Sequence, residues 1–307
     1  MSTRRVVALA GGIGGARLVE GLAAVLADDE LTIVVNTADD FEHLGLFVSP
    51  DVDTITYTLA GIADRQRGWG LEGETFRTLA SVTALGGPSW FQLGDADLGT
   101  HLMRTARRHR GDRLTTITLD HAKAFGVRHR ILPMSDSPRA TKLELHDGRE
   151  LDFQPWLVGE RGQPPVRAVR FEGTRLSTPE VRDAIDAADL VVIAPSNPYV
   201  SIDPILTLDG IRERVDRKPT IGMSPIVSGR AVKGPLASML RDVAGVVPSA
   251  RAIVDHYAGL LDAIVVETGD EIGLTIPAHA TRTVMGDRDD RARLAHELLR
   301  FAEVTLR

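Results

Sequence analysis

The chain has 307 residues, a net charge of −6, and ordinary apolar (43%) and charged (25%) fractions, which suit a globular α/β protein and disfavour general nucleic-acid binding. It has no cysteine, which excludes disulfides, thiolate zinc sites and cysteine nucleophiles. No apolar run approaches the ~20 residues that span a bilayer, and MSTRR leads directly into the first predicted strand. We therefore expect a cytoplasmic protein that does not enter a membrane.

A glycine-rich turn joins the first predicted strand, residues 6–9, to the first predicted helix. Glycine permits positive φ and a close backbone approach, and a helix start presents N–H groups to an anion. We therefore expect phosphate binding here, with a tight turn that binds nothing as the alternative. The candidate residues are Gly11, Gly12, Gly14, Gly15 and Arg17. The segment is not a P-loop, and Arg17 stands where a dinucleotide fingerprint has its third glycine.

Polar residues follow the second predicted strand, residues 31–36, and ligands bind at such strand ends in open α/β sheets. Asn36 is the first of them, and four carboxylates follow within the next seventeen residues: Asp39, Asp40, Asp51 and Asp53. Helix capping is the simpler explanation for those near residue 50. Carboxylates beside phosphates repel them unless a cation lies between, and Mg²⁺ prefers oxygen ligands. The pattern therefore predicts a magnesium site.

Three helices are predicted at about 76–85, 100–109 and 115–124. We expect three basic residues of the middle helix to form a solvated face: Arg104, Arg107 and Arg108. His101 shows no metal-ligand spacing, so a surface or core position is expected. Residues 141–146 and 149–153 then alternate about Asp147-Gly148, which is typical of a two-residue hairpin. We assign 127–176 to an antiparallel insertion at one edge of a single 1–307 domain.

The α/β pattern resumes with predicted strands at 190–194, 220–223 and 263–267, and a helix at 289–305 closes the chain. Loops after the first two of these strands carry Ser196, Asn197, Pro198, Ser224, Pro225, Ile226 and Val227. Strand-end loops gather at one edge of a parallel sheet, so these segments can build one site. The predicted fold is a Rossmann-like three-layer α/β sandwich with a mainly parallel sheet.

An ordered set of motifs resembles the 2-phospho-L-lactate transferase family of coenzyme F420 biosynthesis. The motifs are GGIGG at 11–15, NTADD at 36–40, SPDVDT at 49–54, WG at 69–70, LGDAD at 93–97, PSNP at 195–198 and SPIV at 224–227. They occur in the right order between residue 6 and about residue 235, and the last seventy residues contribute little.

The resemblance implies a phosphotransferase. A guanosine-diphosphate-linked three-carbon acid donates its phospho-acid to the terminal ribityl hydroxyl of 7,8-didemethyl-8-hydroxy-5-deazariboflavin (Fo), and GMP leaves. The acid is lactate, enolpyruvate or glycerate. The resemblance also implies Mg²⁺ and a homodimer. Charge neutralisation and positioning dominate catalysis of such transfers.

The chemistry of these residues, together with the resemblance, predicts the following site residues. Donor contacts fall to the glycine turn, Arg17, Asn36 and the two strand-end loops. Asp40 and Asp53 are the catalytic and metal-binding carboxylates. Acceptor contacts fall to Asp53, Thr54, Trp90, Gln92, Gly94 and Asp95. Gln92 replaces a basic residue of archaeal relatives, which puts that acceptor contact in doubt.

Two other functions remain open. A nucleotide-sugar-binding regulator of the related gluconeogenesis-factor family shares the glycine turn and an Ala-Asp-Asp stretch. The second of these, a nicotinamide oxidoreductase, is the less favoured. Ribose binding requires an acidic residue about 20 positions beyond the glycine turn, and the sequence has no clear candidate there.

Overall fold

A seven-stranded parallel sheet forms the centre of the computed structural model, which describes residues 4–306. Its strand order is β14-β13-β10-β9-β1-β2-β5, and every neighbouring pair is parallel. The strands are β1 (Val6–Ala10), β2 (Leu31–Val35), β3 (Phe41–His43), β4 (Leu46–Val48), β5 (Arg130–Pro133), β6 (Arg139–Leu145), β7 (Glu150–Asp152), β8 (Val166–Gly173), β9 (Leu190–Ile193), β10 (Thr220–Met223), β11 (Ile226–Val227), β12 (Arg230–Ala231), β13 (Ala263–Glu267) and β14 (Ala278–Thr281). The predicted α/β sandwich is confirmed.

Helices cover both faces of this sheet. They are α1 (Gly12–Val25), α2 (Pro50–Ala60), α3 (Arg77–Ala84), α4 (Asp97–His109), α5 (Leu114–Ala124), α6 (Pro179–Ala187), α7 (Asp203–Leu206), α8 (Ile211–Val215), α9 (Leu236–Ala244), α10 (Ala250–His256) and α11 (Arg288–Thr305). Successive strand residues point to opposite faces, so Val6 and Ala8 pack with α1, α2 and α11. Val7 and Leu9 instead pack with α6 to α10.

A three-stranded antiparallel sheet, in the order β7-β6-β8, packs on the second face. Buried and partly exposed residues alternate along β6, and Gly148 makes the turn with φ of 88°. The hairpin is therefore as predicted, but the insertion is shorter than 127–176. β5 pairs with β2 in the main sheet, so the antiparallel strands run only from residue 139 to residue 173.

The glycines of α1 allow it to lie directly against neighbouring backbone. A Cβ at Gly14 would lie 2.5 Å from the carbonyl oxygen of Pro195, and one at Gly15 would lie 2.5 Å from Ser196 Oγ. At Gly21 a Cβ would overlap the carbonyl oxygen of Arg291 in α11. The phosphate-binding explanation of the turn is therefore incomplete, since packing alone already requires glycine at these positions.

Replacing Gly21 with Ala should destabilise the fold by about 1–3 kcal/mol, because helix α1 or α11 must shift to admit the methyl group. Gly99→Ala is the matched control: this glycine is exposed in α4, and a Cβ there meets nothing within 4 Å. The control should gain about 0.5–1 kcal/mol from helix propensity. Urea unfolding of both variants measures this, and equal effects would contradict the packing assignment.

Candidate functional site

One cavity of about 700 Å³ opens at the carboxyl edge of the main sheet. Its size lies within the range of small-molecule and cofactor sites. Thirteen of the predicted site residues line it: Gly11, Gly12, Gly14, Arg17, Asp53, Thr54, Trp90, Gln92, Ser196, Asn197, Ser224, Pro225 and Val227. Segments separated by more than two hundred residues thus meet at one place, as the strand-end rule predicts.

Seven predicted site residues are not part of the cavity lining: Gly15, Asn36, Asp40, Gly94, Asp95, Pro198 and Ile226. Two of them have clear structural tasks that correct their assignment as acceptor contacts. Asp95 accepts hydrogen bonds from the N–H groups of Arg77 and Thr78, both 2.9 Å, and so caps α3. Gly94 packs against Glu74, whose side chain a Cβ would overlap.

At the glycine end of the cavity, where the glycine turn lines the wall, side chains already accept hydrogen bonds from two backbone N–H groups of the turn. The Gly11 N–H donates to Ser196 Oγ (3.1 Å), and the Gly12 N–H donates to Asp51 Oδ1 (2.8 Å). Two cations line the same end, Arg17 and Lys233. Burial and the nearby charge of Arg17 lower the pKa of Lys233. This end of the cavity therefore offers positive charge to an anion.

Two buried carboxyl groups, Asp39 and Asp51, also line the cavity. Burial raises the pKa of Asp51 to about 6, although hydrogen bonds from Asn36 Nδ2 (3.0 Å) and the Gly12 N–H oppose the shift. Burial and then the charge of Asp51 raise the pKa of Asp39 well above its ordinary value. No ion pair with either carboxyl group occurs among residues 4–306 within 4 Å. Oxygen donors of this kind fit a hard divalent cation.

The carboxylates predicted to bind the metal, Asp40 and Asp53, have other partners. Asp40 lies off the cavity wall, accepts a hydrogen bond from Ser49 Oγ (2.7 Å), and has a pKa raised well above its usual value by burial. Asp53 lies on the wall, and both of its oxygens accept from Arg104, one of them at 3.0 Å. Asp53 therefore already has a cationic partner, the guanidinium of Arg104.

Arg104 is 2% exposed, so its assignment to a solvated basic face is wrong. Its neighbours on α4 do lie nearer the surface, where Arg107 pairs with Asp112 and Asp120 and Arg108 stacks over Phe47. Helix geometry explains the difference, because Asp97, His101 and Arg104 follow at intervals of four and three and share the inner face.

His101 lies between two carboxylates on the cavity wall. Its Nδ1 is 3.7 Å from Asp53 Oδ2 and its Nε2 is 3.4 Å from Asp97 Oδ1. The candidate ligand atoms of these three residues all lie within 4.8 Å of one another. The Tyr57 hydroxyl donates to Asp97 (2.6 Å). Burial would raise the pKa of Asp97, but the hydrogen bond and charge of His101 and the Tyr57 bond lower it overall.

A second region of the cavity is bordered by an aromatic cluster of Phe41, His43, Trp90 and Phe91. The Trp90 ring lies 5.3 Å from His43 and 5.6 Å from Phe91. Trp90 remains half-buried, and both Trp90 and Phe91 line the cavity. The insertion supplies a neighbouring wall through Leu157, Val158 and Arg161. An aromatic surface and an apolar wall suit a flat ring.

The sequence prediction missed several lining residues: Tyr57, Asp97, His101, Phe153, Leu157, Arg161, Lys233 and Met285. The helical spacing of Asp97 and His101 with Arg104 was a usable signal. No comparable pattern marks the insertion or the C-terminal residues, because their position depends on how distant segments pack.

Comparison with known proteins decides the family. The 2-phospho-L-lactate transferase CofD family matches residues 6–301. The chain belongs to this family. This match confirms the resemblance inferred from the ordered motifs. It also covers the C-terminal region, to which those motifs do not extend.

Relatives in the CofD family include proteins with two different names. A 2-phospho-L-lactate transferase from Methanosarcina mazei is 37% identical over 86% of this chain and 88% of its own. A phosphoenolpyruvate transferase from Streptomyces coelicolor is 38% identical over 97% and 98%. A solved UPF0052 family protein from Bacillus halodurans shares the fold, with a TM-score of 0.64 and 18% identity over 97% of this chain and 99% of that one. Across residues 4–306, the helices are too short or too polar to cross a bilayer.

The raised pKa of Asp51 makes a pH-dependent contribution to the stability of this CofD family chain. Between the ordinary carboxyl value near 4 and about 6, the folded state binds a proton that the unfolded state has released. Stability from this group is therefore lost as pH rises through that window. Relative to Asp51→Asn, the wild-type unfolding free energy should fall by about 2 kcal/mol between pH 4.5 and pH 7. Urea titrations at both pH values measure this, and a pH-independent difference would contradict the assignment.

Proposed function

We propose that this protein transfers the phospho-acid of a guanosine-diphosphate-linked three-carbon acid to Fo in coenzyme F420 biosynthesis, and releases GMP. The observation that carries the proposal is a cavity lined by two chemically different sets of residues. One set is the glycine turn with nearby cations and strand-end loops, and the other is the aromatic cluster, whose His43 lies near His101 and so near Asp53. Relatives named 2-phospho-L-lactate transferase and phosphoenolpyruvate transferase support the same class of reaction.

The donor diphosphate is proposed to bind at the glycine end. The backbone N–H groups of Gly11 and Gly12 already donate to side chains. The N–H groups of Ile13 and Gly14, in the first turn of α1 on the cavity wall, can therefore donate to the phosphate oxygens. Arg17 and Lys233 supply charge for the phosphate oxygens. Ser196 acts indirectly: its hydroxyl donates to the Gly11 carbonyl (2.7 Å) and fixes the turn.

The proposed magnesium site moves from Asp40 and Asp53 to Asp39 and Asp51. Both are buried oxygen donors on the cavity wall, and Asp51 contacts the turn that is proposed to bind the phosphates. Mg²⁺ usually takes one or two protein carboxylates together with phosphate oxygens and water. When bound, the ion would neutralise charge on the diphosphate.

The acceptor is proposed to lie against Trp90, Thr54 and the wall formed by the insertion. Its terminal hydroxyl oxygen forms a bond to the phosphorus that carries the acid, and the bond from that phosphorus to the GMP oxygen breaks. Asp53 accepts the hydrogen bond of the attacking hydroxyl and receives its proton. Gln92 lies on the same wall and can donate or accept a hydrogen bond. The protein is proposed to act in the cytoplasm as a homodimer.

A turnover experiment tests the reaction. The protein is incubated with Fo, Mg²⁺ and an equal mixture of the lactyl, enolpyruvyl and glyceryl donors, and products are identified by mass. We expect GMP and one phosphodiester of Fo in equal amounts, and little product without Mg²⁺. Asp51→Asn should lower turnover by orders of magnitude at fixed Mg²⁺. Donor binding without GMP release would instead favour the nucleotide-sugar-binding regulator.

Trp90→Ala should weaken Fo binding at least about tenfold, because stacking and buried aromatic area are both lost. Trp69→Ala is the matched control, since Trp69 also lines the cavity but stacks with Arg67 near the glycine end. Fo absorbance titration measures both variants. Equal weakening by both, or none by the Trp90 variant, would remove Trp90 from the acceptor site.

A further inference from the structure

A buried charged network is centred on Arg104, which lies behind the cavity-wall residue Asp53. Arg104 Nη1 donates to Asp53 Oδ2 at 3.0 Å, and Nη2 donates to Asp53 Oδ1. The same Nη1 lies 3.3 Å from His101 Nδ1. Arg104 is 2% exposed and His101 is 1% exposed. Both residues are therefore fixed by packing as well as by hydrogen bonds.

Arginine determines which nitrogen of His101 carries the proton. A guanidinium only donates hydrogen bonds, so His101 Nδ1 must accept from Arg104. The neutral imidazole proton is then on Nε2, which lies 3.4 Å from Asp97 Oδ1. Asp97 is itself fixed by the Tyr57 hydroxyl at 2.6 Å.

We propose that His101 and Arg104 are positioning residues that fix the Asp53 carboxylate at the cavity wall, with His101 in its Nε2–H form. Contacts run from Tyr57 and Asp97 through the imidazole to the guanidinium, and from there to Asp53. His101 does not act as a base toward the cavity, because its unprotonated nitrogen accepts from Arg104. The proposal depends on the proposed function in one respect, which is the role of Asp53 as the group that receives the proton of the acceptor hydroxyl.

The same atoms do not make a good metal site. Asp53, Asp97 and His101 lie close enough to share an ion. Both Asp53 oxygens, however, accept from a guanidinium, and a cation there would lie beside the positive charge of Arg104. Positioning of Asp53 by Arg104 explains the cluster without a ligand.

Two substitutions at His101 separate the contacts of its two nitrogens. In His101→Asn the side-chain oxygen can take the place of Nδ1 and accept from Arg104. In His101→Gln the amide nitrogen can take the place of Nε2 and face Asp97, but the acceptor for Arg104 is lost. His109→Gln, exposed near the end of the same helix, is the control.

We expect His101→Gln to lower kcat/KM for the acceptor about a hundredfold, as a displacement of about 1 Å at a reacting group does. His101→Asn should lose at least about tenfold less, and His109→Gln should match the wild type. GDP affinity should be unchanged in all three. Equal losses in the Asn and Gln variants at equal thermal stability would overturn the proposal.

A measurement on the substrate-free protein tests the inference apart from the reaction. Nitrogen-15 chemical shifts of His101 should show an unprotonated Nδ1 and a protonated Nε2 at pH 8. The opposite tautomer would overturn the assignment even if the enzyme is active. If no transfer occurs, the proposed function fails; if Asp53→Asn turns over normally, only the proposed role of Asp53 fails. In both cases the chemical shifts still decide the tautomer.

Discussion

Close backbone contact around helix α1 is the constraint on which the rest of the structure depends. The helix touches the Pro195–Ser196 loop at Gly14 and Gly15, and α11 at Gly21, with no space for side chains. These contacts bring the ends of β1 and β9 together and connect the last helix of the chain to the first. The glycine turn thus determines where the cavity forms before any ligand is considered. A motif associated with phosphate binding is here equally a packing motif.

The position of helix α1 also affects where charged side chains lie in the cavity. Asp51 reaches the start of α1 and occupies the N–H of Gly12, a position that a phosphate oxygen takes in many nucleotide sites. Asp53 is two residues further along α2 and accepts from Arg104 instead. Among residues 4–306, Asp51 and Asp53 of α2 thus place on the cavity wall one carboxyl without a cationic partner and one carboxylate with such a partner. This difference gives the two parts of the wall different chemistry.

The main sheet could be predicted because strands buried on both faces are short, continuous apolar runs followed by polar turns. β1, β2, β9, β10 and β13 all show this pattern. β5 and β14 do not, since β5 has only two aliphatic residues between Arg130 and Pro133, and β14 (Ala-His-Ala-Thr) is partly exposed along its whole length. The cavity was predicted where strand ends converge. The distinction between buried Arg104 and its surface neighbours could not be drawn from composition, because it depends on which face of α4 meets β4. Likewise, a motif match does not separate a capping carboxylate such as Asp95 from one that contacts a ligand.

The wall formed by Leu157, Val158 and Arg161 belongs to a segment that contributes no strand to the main sheet. Changes in its length or sequence can reshape one side of the cavity while the hydrogen bonds of the parallel sheet and the glycine contacts of α1 stay intact. Within the segment, Leu157 packs against the buried core, whereas Val158 and Arg161 lie on the cavity wall outside the core cluster. A library confined to Val158 and Arg161 would therefore vary the cavity wall while the main sheet and the core stay unchanged.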